Sequence, residues 1–480
     1  MKIARVIPIF KSGYQHKFNN YRQISILPAL SKILEKVMSN KLIKYLESQN
    51  LIYEHQYGFR PKHNTIHPII HLLNQIATEN DKPTKNLTLS VFIDLSKAFD
   101  TISHTILLNK LDNLGIRGVA NLWFKNYLSE RKQFLEITNV KSTLEILGCG
   151  VPQGSILGPI IFLVYVNDIK NSTSLNLLSF ADDTTVSLSS DNISSLYQNM
   201  NHELKNLNTW FEANRLCLNA KKTKYIIFSP NKNYLYYYPR NDYNQIYLNG
   251  QVVDQIRSDG DEKSFKFLGI HMDETLSWKF HIQKVCSKIA SANYFINKAK
   301  HFLPKACLSN LYSSLVHSHI TYGLILWGSS KSINQIVKIQ KKSIRIIHGK
   351  PYNYHTEPLF RHSNILKIQD QYSLNVGLFM HQAKFSRLPR SFDNFKYFTS
   401  RPEQPYTRQT NLANCHRART TYTSLLPHHT FPMIYNELDT ASHNIQSIGS
   451  FKRKIKFSLI QNYAEVIHCE NIFCKQCYLS

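Results

Sequence analysis

Long apolar runs are missing from this chain. They stop after about ten residues, whereas crossing a bilayer takes about 20, so no membrane span is predicted. A secretory leader is absent too: Met1-Lys2-Ile3-Ala4-Arg5-Val6-Ile7-Pro8 has neither a long apolar region nor a cleavage site. Both absences predict an intracellular protein, in the cytoplasm, the nucleus or both. Cysteine is sparse, with eight residues at 149, 217, 286, 307, 415, 469, 474 and 477, and only the last three cluster. That pattern excludes a disulfide framework and predicts a reducing compartment. No internal repeat of fixed period is visible. Acidic side chains are scarce: 32 Asp and Glu stand against 58 Lys and Arg, for a net charge of +26. The imbalance is uneven. Residues 281–480 hold 26 basic and 8 acidic side chains, whereas residues 1–280 hold 32 and 24. A strongly basic region beside a less basic one predicts a polyanionic partner, most often nucleic acid. A general lysine and asparagine bias of the source proteome is the competing explanation.

What is present is the composition of a globular protein, 42% hydrophobic, 12% aromatic and 19% charged over 480 residues, with room for two or three domains. Helical spacing of Ile33, Leu34, Val37, Leu42, Ile43 and Leu46 predicts a helix over 21–50, and a second is predicted over 65–80. Residues 88–95, rich in β-branched and aromatic side chains, predict a buried strand ending in an acid. A helix follows, with Ile102, Ile106, Leu107 and Leu111 on one face. An apolar helix is predicted over 155–168, strand–turn–strand over 176–188, and a helix over 192–214. Strands are predicted over 224–229 and 234–253, with Asn249-Gly250 as a hairpin turn. Lysine-rich amphipathic helices occupy 281–323 and 331–348, and the pattern weakens from about 385 to 430. Loose boundaries fall near 275 and 350.

Three acids stand out. Asp94 ends the apolar strand Val91-Phe92-Ile93. Asp182-Asp183 sit in a turn after Leu177-Leu178-Ser179-Phe180-Ala181. Carboxylates pressed against a sheet repel one another unless a cation lies between them. Nucleotidyl transfer uses such a set, because two divalent metals clamp the attacking 3′ oxygen and the leaving pyrophosphate, and magnesium prefers oxygen ligands. Any one acid after a strand reads as readily as a helix cap or turn residue, and Asp100 is read that way.

Four blocks in order then resemble the reverse transcriptases of non-LTR, LINE-type retrotransposons, jockey-like ones in particular. They are Phe92-Ile93-Asp94-Leu95-Ser96-Lys97-Ala98-Phe99-Asp100-Thr101-Ile102, Gly150-Val151-Pro152-Gln153-Gly154-Ser155-Ile156-Leu157-Gly158-Pro159, Phe180-Ala181-Asp182-Asp183-Thr184 and Leu218-Asn219-Ala220-Lys221-Lys222-Thr223-Lys224. Further segments are similar to the family's fingers (Ala4–Gly13, Asn20-Tyr21-Arg22, Gln56-Tyr57-Gly58-Phe59-Arg60-Pro61) and its primer grip (Phe267-Leu268-Gly269-Ile270). His317–Gly323 and His355–Phe360 resemble segments downstream of the polymerase.

The resemblance implies an α+β right-hand polymerase fold: fingers and palm over 1–275 with a small antiparallel sheet, a helical thumb-like region over 276–350, and a basic C-terminal region over 351–480. It implies an RNA-directed DNA polymerase that adds dNTPs to a primer 3′-OH on an RNA template. Two Mg2+ ions, with Mn2+ as a substitute, would sit on Asp94, Asp182 and Asp183, with the Leu95 carbonyl as a further ligand. Phe99 falls where the family carries an aromatic steric gate; a core phenylalanine is the plainer alternative. Gln153 and Gly154 would line the nucleotide pocket. Lys11, Arg22 and Arg60 are candidates for the triphosphate, and Lys222 for protonating pyrophosphate. Solvated surface residues would look the same in sequence. Lys338, Lys341, Lys342 and Arg345 are candidates for phosphate contacts, against a solvated helix face. Cys469, Cys474 and Cys477, with His468 beside them, have zinc-ligand types, but free reduced thiols are the preferred reading.

The chain departs from the family pattern at Gln23, Asn64 and Phe180, none of them a metal ligand. The resemblance also implies an upstream endonuclease and an earlier fingers segment that this chain does not contain. A catalytically silent remnant that keeps the fold and nucleic-acid binding is therefore the alternative. A group II intron maturase is a third reading, disfavoured by the segments after 275.

Overall fold

The computed structural model describes residues 2–84, 86–137, 140–229, 244–398 and 412–463. The fold is α+β, and the chain forms two compact units. The first takes the residues up to Pro68, Thr88–Ile227 and the segment ending at Gln255; the second takes Ile69–Leu87 and the chain from Ile256 onward.

The first unit is built on two sheets. One has β1 (Ile3–Phe10) antiparallel to β2 (Tyr21–Ile26) and parallel to β5 (Lys132–Ile137), with short β6 (Val140–Lys141) and β7 (Glu145–Ile146) on β5. The expected helix over 21–50 is therefore corrected at its start: Tyr21–Ile26 is a strand, and α1 runs Ala29–Ser48. Pro28 separates them, and a residue before proline is disfavoured in helical conformation.

The other sheet runs, edge to edge, β14 (Asp254–Gln255), β11 (Lys224–Phe228), β3 (Leu87–Ile93), β9 (Asp183–Ser190) and β8 (Asn176–Phe180). At its centre β3 is buried at all seven positions. Such a strand is covered on both faces, so it reads as a continuous apolar run rather than an alternating one. β11 and β9 flank it on either side, with β14 beyond β11 and β8 beyond β9. β4 (Leu95–Ser96) leaves the end of β3 and pairs with β10 (Cys217–Leu218). β12 (Tyr247–Leu248) and β13 (Gln251–Val252) form the hairpin expected at Asn249-Gly250.

Helices cover the sheet. α5 (Gly158–Val166) is buried at every residue except Pro159. α6 (Ile193–Ala213) turns Leu196, Met200, Leu204, Leu207 and Phe211 inward at helical spacing and packs on β9. Its first turn is capped by Asn192, whose side chain accepts from the Ser194 and Ser195 amides. α3 (His104–Asn113) packs on α5, and α4 (Gly118–Leu128) on α3.

The second unit is mainly helical and includes most of α2 (Ile66–Asn80). The helix Lys279–Ala299 packs along Asn334–Ile347, and Ile368–Lys384 packs on Pro427–Glu437 and Ile448–Gln461. A hairpin of β15 (Phe265–Phe267) and β16 (Ile270–Met272) precedes them. Its turn is held by Tyr322, whose hydroxyl donates to the Leu268 carbonyl at 2.6 Å. The chain after α2 is tied to the C-terminal part through Asp81: its carboxylate accepts from the Thr423 hydroxyl at 2.8 Å and the Arg419 amide at 3.0 Å, and lies 2.6 Å from His429 Nε2. Among the described residues no helix is long and apolar enough to cross a membrane.

Candidate active site

The three predicted acids meet at one end of the central sheet. Asp94 is the first residue after β3. In the β8–β9 hairpin Phe180 pairs with Asp183, leaving Ala181 and Asp182 as the turn. The Asp94 charge reaches both carboxyls of the hairpin. Asp182 is half-buried; burial pushes its carboxyl above the usual range, the Asp94 charge adds to that, and the Arg22 and Lys11 charges oppose it. Asp183 is more open, yet partial desolvation by the surrounding protein, then Asp182 and Asp94, raise its carboxyl to about 6. Each group resists ionising while its neighbours are charged.

The segment after α6 cradles Asp94. The Asn219 amide donates to the Asp94 carbonyl at 2.9 Å, and the Asp94 amide donates to Thr223 Oγ1 at 3.2 Å. Lys222 Nζ stands 3.9 Å from Asp94 Oδ2 with most of its side chain exposed. Leu95 pairs with Leu218 across the β4–β10 ladder.

Gln153 Nε2 donates to Asp100 Oδ1 at 3.1 Å, and the Gln153 carbonyl accepts from the Ser25 amide at 2.7 Å. The loop before α5 is thereby joined to β2 and to the segment after β3. Gly154 sits at φ +115, and a Cβ there would stand 2.6 Å from the Ser25 carbonyl oxygen, so only glycine permits this approach. Phe99 is half-buried, its ring centroid 4.7 Å from that of the buried Phe162.

The basic candidates divide. Lys11 and Arg22 are exposed, and their charges reach Asp182. Arg60 is engaged elsewhere: Nε and Nη2 donate to the Glu47 carboxylate at 2.7 and 2.9 Å, and Nη1 donates to the Tyr53 and Gln56 carbonyls at 2.9 and 3.0 Å. These contacts give Arg60 a bracing role. In the second unit Lys338 and Lys342 are exposed one turn apart, Lys341 is half-exposed, and Arg345 donates to the Tyr354 carbonyl at 2.7 Å. His468, Cys469, Cys474 and Cys477 lie outside the described residues.

Two buried residues escaped the sequence reading. Glu35 of α1 accepts from the Ile156 amide at 2.8 Å and the Tyr127 hydroxyl at 3.0 Å, anchoring the loop that carries Gln153. Gln56 accepts from the Ala181 amide at 3.0 Å, inside the acidic turn. The only signal for Gln56 was its place in a fingers block beside Gly58.

A family model described as reverse transcriptase (RNA-dependent DNA polymerase) matches residues 10–272, more than half of the chain and all of this site. The chain belongs to this family. Relatives of this reverse transcriptase include the RNA-directed DNA polymerase from mobile element jockey of Drosophila melanogaster, 28% identical over 388 residues that make up 77% of this chain and 40% of that protein. The probable RNA-directed DNA polymerase from transposon BS of the same organism is 26% identical, covering 78% of this chain and 41% of its own length. The chain thus spans about two-fifths of the length of these relatives. Among solved structures, apo telomerase from Candida tropicalis aligns with a TM-score of 0.42 at 10% identity, covering 77% of this chain and 63% of that one.

The donor set fits a hard divalent cation that is only partly enclosed. Among the described residues no three His, Cys, Asp or Glu side chains converge closely enough to hold a metal by themselves. Three neighbouring carboxylates, of which Asp182 and Asp183 are raised by burial and by the Asp94 charge, nevertheless offer the oxygen chemistry magnesium takes. That ion is usually held by one or two carboxylates together with substrate phosphates and water.

Proposed function

We propose that this chain is the polymerase core of an RNA-directed DNA polymerase of a jockey-like non-LTR retrotransposon, adding dNTPs to a DNA primer 3′-OH on an RNA template. The observation that carries the reading is the gathering of Asp182 and Asp183 beside Asp94 at one end of the central sheet, close enough that the Asp94 charge helps raise both of their carboxyls, within residues matched to the family.

Asp94, Asp182 and Asp183 would hold the two Mg2+ ions, or Mn2+ in their place, with the Leu95 carbonyl as an added ligand. When bound, such ions lower the pKa of the attacking hydroxyl and neutralise charge on the leaving pyrophosphate. The chain's own groups do the rest. Lys11 and Arg22, already close enough to influence Asp182, would bind the triphosphate. Lys222, next to Asp94, would deliver a proton to pyrophosphate. Gln153 and Gly154 would form the nucleotide pocket, and Phe99, backed by Phe162, would exclude a ribose 2′-OH. Residues 1–275 would act as fingers and palm and 276–350 as a thumb, with Lys338, Lys341 and Lys342 on phosphates.

The test is magnesium-dependent incorporation of dTTP on poly(rA)/oligo(dT), beside the Asp182→Asn, Asp183→Asn double variant. The parent is expected to extend the primer, and the variant to bind template–primer but extend nothing. Binding without extension by the parent would make the chain a silent remnant.

A further inference from the structure

The turn that carries Asp182 holds a conformational conflict. Ala181 sits at φ +58, where a residue with a Cβ is rare and glycine is at ease. Two-residue hairpin turns with positive φ at their first central position usually place glycine there. A strained residue keeps such a conformation only when its surroundings over-determine it, and here the surroundings are specific.

The segment His55–Gly58 lies alongside β8. The Ser179 amide donates to the His55 carbonyl at 3.0 Å, and the Tyr57 amide donates to the Ser179 carbonyl at 2.7 Å. Between these two ties Gln56, 4% exposed, aims its side chain at the turn. Its Oε1 accepts from the Ala181 amide at 3.0 Å and from the Gly58 amide at 2.9 Å. Gly58 lies so close beneath the turn that a Cβ would stand 2.3 Å from the Ala181 nitrogen. Arg60 holds the Gln56 carbonyl at 3.0 Å while its fork grips Glu47. Ala181 is 6% exposed, so water is a poor substitute for the glutamine oxygen. Without that oxygen the buried amide loses its acceptor, and the backbone has reason to leave the left-handed region.

We propose that Gln56 is a positioning residue for the acidic turn: by fixing the Ala181 amide it sets where the Asp182 and Asp183 carboxylates stand relative to Asp94. The inference rests on the assignment of those acids to divalent metal.

Gln56→Met keeps the length of the side chain and removes the acceptor, whereas Gln56→Glu keeps an acceptor oxygen. The full chain and both variants are compared by Mn2+ binding (electron paramagnetic resonance of the free ion), by thermal unfolding, and by steady-state extension of poly(rA)/oligo(dT). Gln56→Met is expected to bind Mn2+ roughly tenfold more weakly and to lose roughly tenfold in kcat, with KM for dTTP within about twofold of the parent. Gln56→Glu is expected to regain Mn2+ affinity to within about threefold of the parent. A Gln56→Met chain that changes only its unfolding midpoint, with metal affinity and kcat intact, overturns the proposal. If that variant does not fold, Gln56→Asn, one methylene too short to reach Ala181, carries the same expectation. A parent that binds Mn2+ but extends no primer defeats the polymerase reading alone, and weakened Mn2+ binding in Gln56→Met would then still uphold the positioning role. A parent that binds no Mn2+ overturns both.

Discussion

Asp183 keeps its proton to about pH 6 because its surroundings are partly desolvated and Asp182 and Asp94 are near. The sign of the consequence differs for folding and for metal binding. In the metal-free chain the folded state binds this proton more tightly than the unfolded one. The group's contribution to stability is therefore fully present below the ordinary carboxylate range, and it is lost as pH rises toward 6. A cation requires the ionised form, so affinity for it moves the other way. Mn2+ affinity is expected to fall by about tenfold per pH unit below 6 and to level off above it. Mn2+ titrations at several pH values between 5 and 8 test this. A profile flat through 6 would show that Asp183 is not a ligand, and Asp183→Asn should abolish the inflection while leaving the chain folded.

Elements whose evidence lies within one stretch of chain were legible in the sequence. α2, β3, α6 and the β8–β9 hairpin fall where periodicity places them, because each buries one face or is wholly buried. β2 was not legible. Tyr21–Ile26 is a strand only because it pairs with β1, and a window of helical spacing cannot see that partner. The same limit hid Gln56, whose acceptor role depends on Ala181, distant in sequence. A different omission concerns the start of the helix Lys279–Ala299. Asp273, 3% exposed, accepts from the amides of Thr275, Ser277 and Trp278 and from the hydroxyls of Thr275 and Ser277. An acid followed by Thr and Ser just ahead of a helical pattern is a start signal in its own right. Asp273→Ala takes the acceptor from the buried Trp278 amide, while the half-buried Thr275 and exposed Ser277 donors can turn to water, and should cost about 1–2 kcal/mol. Denaturant unfolding would measure it, and Mn2+ affinity should not change, since Asp273 belongs to the second unit and the three acids to the first.

The whole chain carries +26, and most of the excess lies beyond residue 280. Charge of one sign held together against its own repulsion is best explained by a polyanion that offsets it. If the source were only compositional bias, every exposed lysine pair would matter equally little. Lys338 and Lys342 distinguish the two explanations, because they are exposed one turn apart on a helix whose Ile336, Gln340, Ser343 and Ile344 are buried. Phosphate contacts release condensed counterions, so the logarithm of affinity falls linearly with the logarithm of salt concentration, with a slope near −0.9 per phosphate on a duplex. The Lys338→Glu, Lys342→Glu double variant should therefore bind template–primer more weakly whatever its sequence, and its salt slope should be shallower by about 2. The same exchange at Lys36 and Lys41, exposed on α1 of the first unit, serves as the comparison. A slope reduced by the first pair alone assigns the helix Asn334–Ile347 to the nucleic-acid backbone. Equal slopes in the parent and both variants would return these lysines to the solvent and leave the excess charge to composition.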